Sequence, residues 1–373
     1  MSVPDRPVIG VLHPGEMGAA VAGCVLPAAD RVLWASQGRS AATRRRAEAA
    51  GLTDAGNLAA MCRSADILLS VCPPDAAVEV TTAVAGHGFD GLYLDANAVA
   101  PATARHAAEV VEAAGARFVD GGIIGSVPRV AGRTRLYLSG PGSDAAAALF
   151  EGSVLEAVVL HEDSAPRPVG AASALKMTYA AYTKGRAALL LAIRAAAVAE
   201  GVDADLVAEW RRSGSTLTQL ADDCDAVAAR GAPKAWRWSG EMLEIAATLE
   251  AAGLPGGFHQ AAADVYQRLR GLRDAQGASL DEVVEARAEV TYASMYGMKR
   301  TTVYLPEDLK ASLERIAAAE RRSEAELIRE ALSEALERRT PPRPQIPLLE
   351  TGFGDPTVAE RVDDFLNEGF GGR

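Results

Sequence analysis

Six short apolar runs spread over the first 140 residues constrain this chain more than any other feature. They read PVIGV (7–11), RVLWAS (31–36), ILLSVC (67–72), GLYLDA (91–96), ARFVDG (116–121) and RLYLSG (135–140), with alanine-rich stretches of helical composition between them. Such continuous runs suit strands buried on both faces, and strands alternating with helices build a parallel sheet covered on both sides. The expected fold class is α/β over this region. A long helix is placed at about 170–200, around SALKMTYAAY, and opens an all-α region.

The first run ends in LHPGEMGAAVAGCV, whose second half has the small residues of a helix start. Strand, glycine turn and helix form a Rossmann unit because bare N–H groups at a helix N-terminus can approach a pyrophosphate. Gly15 and Gly18 hold the second and third glycine positions of GxGxxG, and His13 stands at the first. His13, Pro14, Gly15, Glu16, Met17 and Gly18 are therefore expected to contact a dinucleotide; a purely structural turn uses the same residue types. About twenty residues on, where NAD enzymes place a carboxylate for the ribose, the chain reads ASQGRSAATRRR. Ser36, Arg39 and Ser40 suit a 2′-phosphate instead, which favours NADP and leaves NAD possible.

The segments IGVLHPGEMGAA, SVCPPDAA, DANAVAPATAR, DGGIIGSVPRVAGRTRLYLSG and GAASALKMTYAAYTKG follow one another as in the β-hydroxyacid dehydrogenase and 6-phosphogluconate dehydrogenase superfamily. The chain resembles that superfamily over residues 5–275. The resemblance implies an NADP-binding Rossmann domain (1–165), an all-α substrate and dimerisation domain like the 6-phosphogluconate dehydrogenase C-terminal domain (166–275), and an NAD(P)-dependent dehydrogenase acting on a CH–OH group. Lys176 corresponds to the family's catalytic lysine, the general acid or base for a hydroxyacid-like substrate. Cys72 and Pro73 fall among the cofactor contacts. Asn97 matches a nicotinamide or substrate contact, and Gly121, Gly122, Gly125 and Ser126 fall in the substrate-binding turn, with Tyr179 nearby.

The departures are specific. The family's asparagine one helical turn after the lysine is Ala180 here, its second lysine aligns with Gly240, and the neighbouring aspartate with Glu241. Lys234, Trp236, Arg237, Trp238 and His259 are the available replacements, each equally suited to packing.

After a linker (276–297), GMKRTTVYLPEDLK begins a different pattern. Arg300, Thr302 and Tyr304 alternate with Thr301, Val303 and Leu305, Pro306 opens a helix, and a second helix starts with a capping box at Ser323 and Glu326. Strand, helix and helix in about forty residues cannot bury such apolar faces alone. Residues 298–339 resemble a ribbon-helix-helix module, which implies a paired strand ribbon in the major groove, with Arg300, Thr302 and Tyr304 facing bases and Ser323 at a phosphate. A dimerisation clasp without a DNA role is the other reading. The proline-rich tail (340–373) resembles antitoxin tails that wrap a PIN-domain toxin.

The chain is acidic, −11 overall, while residues 299–339 carry nine basic and nine acidic residues. That balance excludes a protein that coats nucleic acid and leaves room for a neutral DNA-binding module. Four cysteines, Cys24, Cys62, Cys72 and Cys224, lack metal-ligand spacing, so no metal is expected. Without a signal-peptide pattern, and with Arg194 interrupting the most apolar helix, a cytoplasmic protein is expected and no membrane partner; the module's unpaired strand and the resemblance of the alanine-rich helices beyond residue 185 to the family's pairing helices imply a homodimer. Two other readings stay open: a DNA-binding regulator or antitoxin whose Rossmann body senses NADP(H) or only dimerises, and an accidental fusion in which Met298 starts a separate product.

Overall fold

The computed structural model describes residues 4–273, 279, 282–283, 306–320 and 324–337, and contacts divide the chain into two units, Met1–Gly297 and Met298–Arg373. In the first unit, β1 (Val8–Val11), β2 (Arg31–Trp34), β3 (Thr53–Asp54), β4 (Ile67–Ser70), β5 (Leu92–Asp95), β6 (Arg117–Gly125), β7 (Thr134–Ser139) and β8 (Leu155–Val159) form one sheet in the order 3-2-1-4-5-6-7-8. Helices α1 (Glu16–Val25), α2 (Ala41–Ala49), α3 (Leu58–Ser64), α4 (Ala77–Gly86), α5 (Pro101–Ala113) and α6 (Ser143–Ala148) make the connections. A small hairpin, β9 (His161–Glu162) with β10 (Ala165–Pro166), leads out of the sheet.

The apolar runs are explained by two-sided burial. Ile67 and Leu69 pack with Val21, Val25 and Trp34 on one face, while Leu68, between them, packs with Met61, Val84 and Val111 on the other. Leu92 and Leu94 divide from Tyr93 in the same way. Each such side chain contributes about 1.5–3 kcal/mol by leaving water.

Three expectations are corrected here. The sheet is not parallel throughout: β7 runs antiparallel to β6, because residues 126–133 are too few for a crossover. The run at 116–121 does not end in a turn. β6 continues to Gly125, so Gly121 and Gly122 are ladder residues paired with Leu138 and Tyr137. A Cβ on Gly121 would lie 2.7 Å from the Asp95 carbonyl oxygen, and one on Gly122 2.7 Å from that of Ala172, so both glycines serve close packing. Finally, β8, which pairs in parallel with β7, adds a strand that the run count omits.

The all-α region is built on α7 (Ala171–Ala199), a helix of 29 residues, with α8 (Asp203–Arg212), α9 (Ser215–Gly231), α10 (Ala235–Ala251) and α11 (Gly257–Arg268) around it. Its core gathers Met177, Leu191, Met242, Ile245 and Tyr266. Two polar contacts seat it on the sheet domain. The buried Asp120 of β6 accepts hydrogen bonds from Gly170 N (2.9 Å), Ser173 N (3.1 Å), Ser173 Oγ (2.6 Å) and Ser139 Oγ (2.9 Å), and so caps α7. Glu244 of α10 likewise accepts from Ala100 N (2.6 Å) and Thr103 Oγ1 (2.8 Å) at the start of α5.

In the second unit, α12 (Glu307–Glu320) and α13 (Glu324–Glu337) are the described elements. Lys310 pairs with Glu314 at 3.1 Å and with Glu324 at 2.5 Å, while Leu309, Ile316 and Leu332 are exposed. Among the described residues, no helix is long and apolar enough to cross a membrane.

Replacing Asp120 by Ala leaves the α7 N-terminus and Ser173 without their buried acceptor. The expected loss in the first unit's unfolding transition is about 2–4 kcal/mol, with Ser139→Ala costing less than half of that. Denaturant titration followed by tryptophan emission measures both.

Candidate functional site

At the switch point between β1 and β4, the carboxyl ends of β1, β4 and β5 face α7 and α10 across a cleft of about 860 Å³. One wall is the β1–α1 loop. Gly15 is the N-cap of α1, and a Cβ there would meet no protein atom within 4 Å. A Cβ on Gly18 would lie 2.1 Å from the His13 carbonyl oxygen, so only glycine lets α1 pack against its own loop. Bare backbone at Gly15 and the unpaired N–H groups of the first α1 turn fit a dinucleotide pyrophosphate. His13 lines the same wall with its Nδ1 buried and unpartnered; burial, aided by the Arg39 charge, pushes its imidazole down to about 4, so it is neutral.

The outer rim is basic. Arg39, Thr43 and Arg46 line the cleft, with Arg39 donating to Leu12 O (3.3 Å) and Arg46 to Pro14 O (3.4 Å). Ser40 caps α2, its Oγ accepting from Thr43 N at 3.2 Å. Ser36 is buried, hydrogen-bonded to the Asp54 side chain, and does not line the cleft. Its expected phosphate role is corrected accordingly: Arg46 and Thr43, one turn apart on α2, occupy the rim instead. The Ser36 hydrogen bond and nearby Arg44 hold the Asp54 carboxyl below the usual range.

At the centre, Asn97 is buried and doubly held: its Oδ1 accepts from Cys72 N (2.6 Å) and its Nδ2 donates to Ser70 Oγ (3.0 Å). It locks the ends of β4 and β5 together. Behind it, Asp95 Oδ1 accepts from Asn97 N (2.8 Å), and burial raises this carboxyl to about 7. Cys72 and Pro73 line the cleft; burial, with Asp95 adding, pushes the Cys72 thiol up to about 12, so it is no nucleophile.

On the opposite wall, Lys176 Nζ lies 3.4 Å from Glu241 Oε1, and Lys184 Nζ contacts Glu241 Oε2. Glu241 is 5 % exposed. Burial alone would raise its carboxyl, but the two ammonium groups hold it below the usual range. Lys184, also on α7, thus brings a second lysine into the cleft, where Gly240 on α10 brings none. Sequence reasoning missed it because its distance from Glu241 along the chain is 57 residues. Lys184 also sits 5.3 Å over Trp238, and Arg237 and Arg273 lie 5.6 and 4.1 Å from Trp236. Lys234, Trp236, Arg237 and Trp238 all line the cleft, whereas His259 packs beneath α7 with its Nε2 3.2 Å from Ala181 O.

The structure thus gathers His13 to Gly18, Arg39, Cys72, Pro73, Asn97, Gly125, Ser126, Lys176 and Tyr179 in one cleft. Gly121 and Gly122 are corrected to packing positions beneath it, where a side chain would meet the Asp95 backbone or α7, respectively. Arg300, Thr302, Tyr304 and Ser323 lie outside the described residues. No cluster of His, Cys, Asp or Glu among the described residues is arranged to hold a metal.

This sheet order, glycine loop and lysine-bearing helix define an NAD(P)-dependent dehydrogenase architecture. Residues 8–157 match the NAD binding domain of 6-phosphogluconate dehydrogenase, residues 197–269 a domain of unknown function (DUF1932), and residues 299–339 the ribbon-helix-helix protein, copG family. The chain thus joins an NAD binding domain of the 6-phosphogluconate dehydrogenase type, over residues 8–157, to a ribbon-helix-helix domain of the copG family, over residues 299–339. It is 29 % identical over 157 residues, 42 % of its length, to an uncharacterized 28.5 kDa protein of Methanothermus fervidus, and spans 58 % of that relative. It is 43 % identical over 76 residues, 20 % of its length, to the whole of antitoxin VapB26 of Mycobacterium tuberculosis. A Mycobacterium tuberculosis 3-hydroxyisobutyrate dehydrogenase shares the fold at 17 % identity and a TM-score of 0.53, over 75 % of this chain and 98 % of that one.

Gly15→Ala is expected to change folding stability by at most about 1 kcal/mol, yet weaken binding of a nicotinamide dinucleotide about tenfold. Gly18→Ala is expected to lose both, since its Cβ meets backbone. Calorimetric titration beside thermal unfolding separates the two.

Proposed function

We propose that this protein is an NADP-preferring dehydrogenase that oxidises the hydroxyl of a small hydroxyacid-like substrate, with Lys176 as general acid or base. One observation carries the reading: Lys176, on a helix capped by the sheet domain's Asp120, lines the same cleft as the glycine loop. The loop from His13 to Gly18 would hold the pyrophosphate, and Arg39, Thr43 and Arg46 would hold the 2′-phosphate. The nicotinamide, when bound, supplies the hydride acceptor. Lys176 takes the hydroxyl proton, and Glu241 orients its ammonium. Asn97 keeps the β4 and β5 ends in place, with Gly125, Ser126 and Tyr179 against the substrate. The cationic groups around Trp236 and Trp238 suit a carboxylate.

We divide the chain into a cofactor domain (1–165), a helical domain (166–275), a linker (276–297), a ribbon-helix-helix module (298–339) and a tail (340–373). The working form is a cytoplasmic homodimer. Tyr182, Leu189 and Ile193, at helical spacing on α7, are exposed in the single chain, as are Leu309, Ile316 and Leu332 in the module. The module binds operator DNA through Arg300, Thr302, Tyr304 and Ser323, and the tail binds a PIN-domain toxin; the likeness to a whole antitoxin supports both.

Oxidation of a panel of hydroxyacids and sugar acids, followed by the absorbance of reduced cofactor, tests the enzyme. Arg39→Ala is expected to weaken NADP by about 1.5–3 kcal/mol and leave NAD nearly unchanged. Lys176→Ala is expected to lower turnover about 10²–10⁴-fold with NADP binding intact. Equal loss of both cofactors, or turnover at the parent rate, rejects the respective role.

Removing residues 298–373 is expected to abolish DNA retention and preserve NADP binding. With the full chain, DNA affinity should fall with salt at a log–log slope of about −0.9 per phosphate contacted. Gel retardation of the truncated chain checks this, and retained binding rejects the module's role.

A further inference from the structure

Lys184 lines the cleft and touches the same carboxylate as Lys176. The two lysines are eight residues apart on α7, just over two turns, and so share a face. Each meets a different oxygen of Glu241. Oε1, the oxygen facing Lys176, is buried without a hydrogen bond, while Oε2 is bonded to Lys184. Two cations thus share one buried anion, and full protonation of both is disfavoured by like charge and by dehydration.

We propose that Lys176, Glu241 and Lys184 form one proton-handling unit, in which Lys184 stores, through Glu241, the proton that Lys176 exchanges with substrate. The inference rests on Lys176 being the substrate-facing group. In oxidation the substrate O–H bond breaks, an N–H bond forms on the Lys176 amine, and the C–H electron pair leaves as hydride to the nicotinamide. Lys176 then gives a proton to the Glu241 carboxylate, and the carboxylic acid so formed gives one to the Lys184 amine. Glu241 ends as it began, Lys176 is again an amine, and one proton resides on Lys184. Reduction runs the sequence backwards. Lys184 is a positioning residue here, acting through Glu241.

The surroundings suit this role. Facing Lys184 are Lys176 from its own helix, Glu241 and Arg237 from α10, and the Trp238 ring; Tyr266 of α11 donates to the Lys184 carbonyl at 2.6 Å. Burial lowers the Lys184 ammonium to about 8, opposed by Glu241 and assisted by Lys176 and Arg237. Burial raises the Tyr266 phenol, which keeps its proton. A proton held near 8 can be exchanged at cellular pH, which an ordinary lysine at about 10.4 cannot do readily.

The chain has five lysines, so 13Cε-lysine labelling of the full-length protein gives few signals, and Lys184→Met assigns the one in question. Lys184 is expected to titrate near 8 in the parent. Its midpoint should rise by about one pH unit in Lys176→Met, which removes a like charge, and fall in Glu241→Gln, which removes the anion. Lys184→Arg keeps the cation but cannot release a proton, and should abolish the inflection near 8 in NADP-dependent oxidation of the panel's best substrate. A parent midpoint at the ordinary lysine value, or one unmoved by both substitutions, overturns the unit. Coupled titrations with turnover surviving in Lys176→Ala would instead reject the role given to Lys176, so the two failures are distinguishable.

Discussion

The site depends on one buried carboxylate. Asp120 ends three consecutive demands at once: it accepts from two N–H groups at the start of α7, from Ser173 Oγ, and from Ser139 Oγ of the neighbouring strand. Ser139 Oγ in turn accepts from Ala172 N at 3.0 Å, so the first turn of α7 is tied to β6 and β7 together. A 29-residue helix pinned at one end can swing at the other. Gly122 prevents that near the site, because its missing side chain lets α7 lie directly on β6, with Lys176 Cβ only 3.0 Å from where a Cβ would stand. Lys176 and Lys184, both on α7, therefore inherit their positions from the sheet. Glu244 repeats the device on α10, the helix that carries Glu241.

Much of this was legible in the sequence, and the illegible part has a common cause. Strands β1, β2, β4 and β5 were readable because two-sided burial writes itself as unbroken apolar residues, and α7 because it is long and alanine-rich. The extent of β6 was not, since GG in DGGIIG has the same composition as a turn and only the approach of Asp95 O and Ala172 O shows why side chains are absent. The reversal at β7 follows from loop length, a quantity legible only once the strand ends are fixed. Lys184 with Glu241, and Ser36 with Asp54, are meetings of elements far apart in the chain. A single sequence carries no local mark of such pairs.

The cleft also resolves the tension between an acidic chain and an anionic cofactor. The chain carries −11 overall, yet Arg39, Arg46, Lys176, Lys184, Lys234, Arg237 and Arg273 line one cleft against Glu16 and Glu241. Low-dielectric walls focus such a field, so local charge governs what approaches. Glu241 supplies counter-charge deep inside, where a bare pair of ammonium groups would cost more to dehydrate than their attraction to a ligand returns.

The module at the far end faces a different constraint. Its described helices, α12 and α13, are tied by the Lys310 pair with Glu324, but exposed ion pairs contribute little. Leu309, Ile316 and Leu332 are open to water, and a unit this small has too little interior to hold itself together. In the proposed homodimer, pairing of two modules would cover that surface and, by the same act, tether two dehydrogenase bodies. Tethering raises the effective concentration of one body near the other. A body surface such as Tyr182, Leu189 and Ile193, too small to associate firmly from dilute solution, would then stay engaged. On the proposed reading, fusion of the two parts gains by mass action even where neither part alters the other's chemistry, because a paired module and a paired body would require the same stoichiometry.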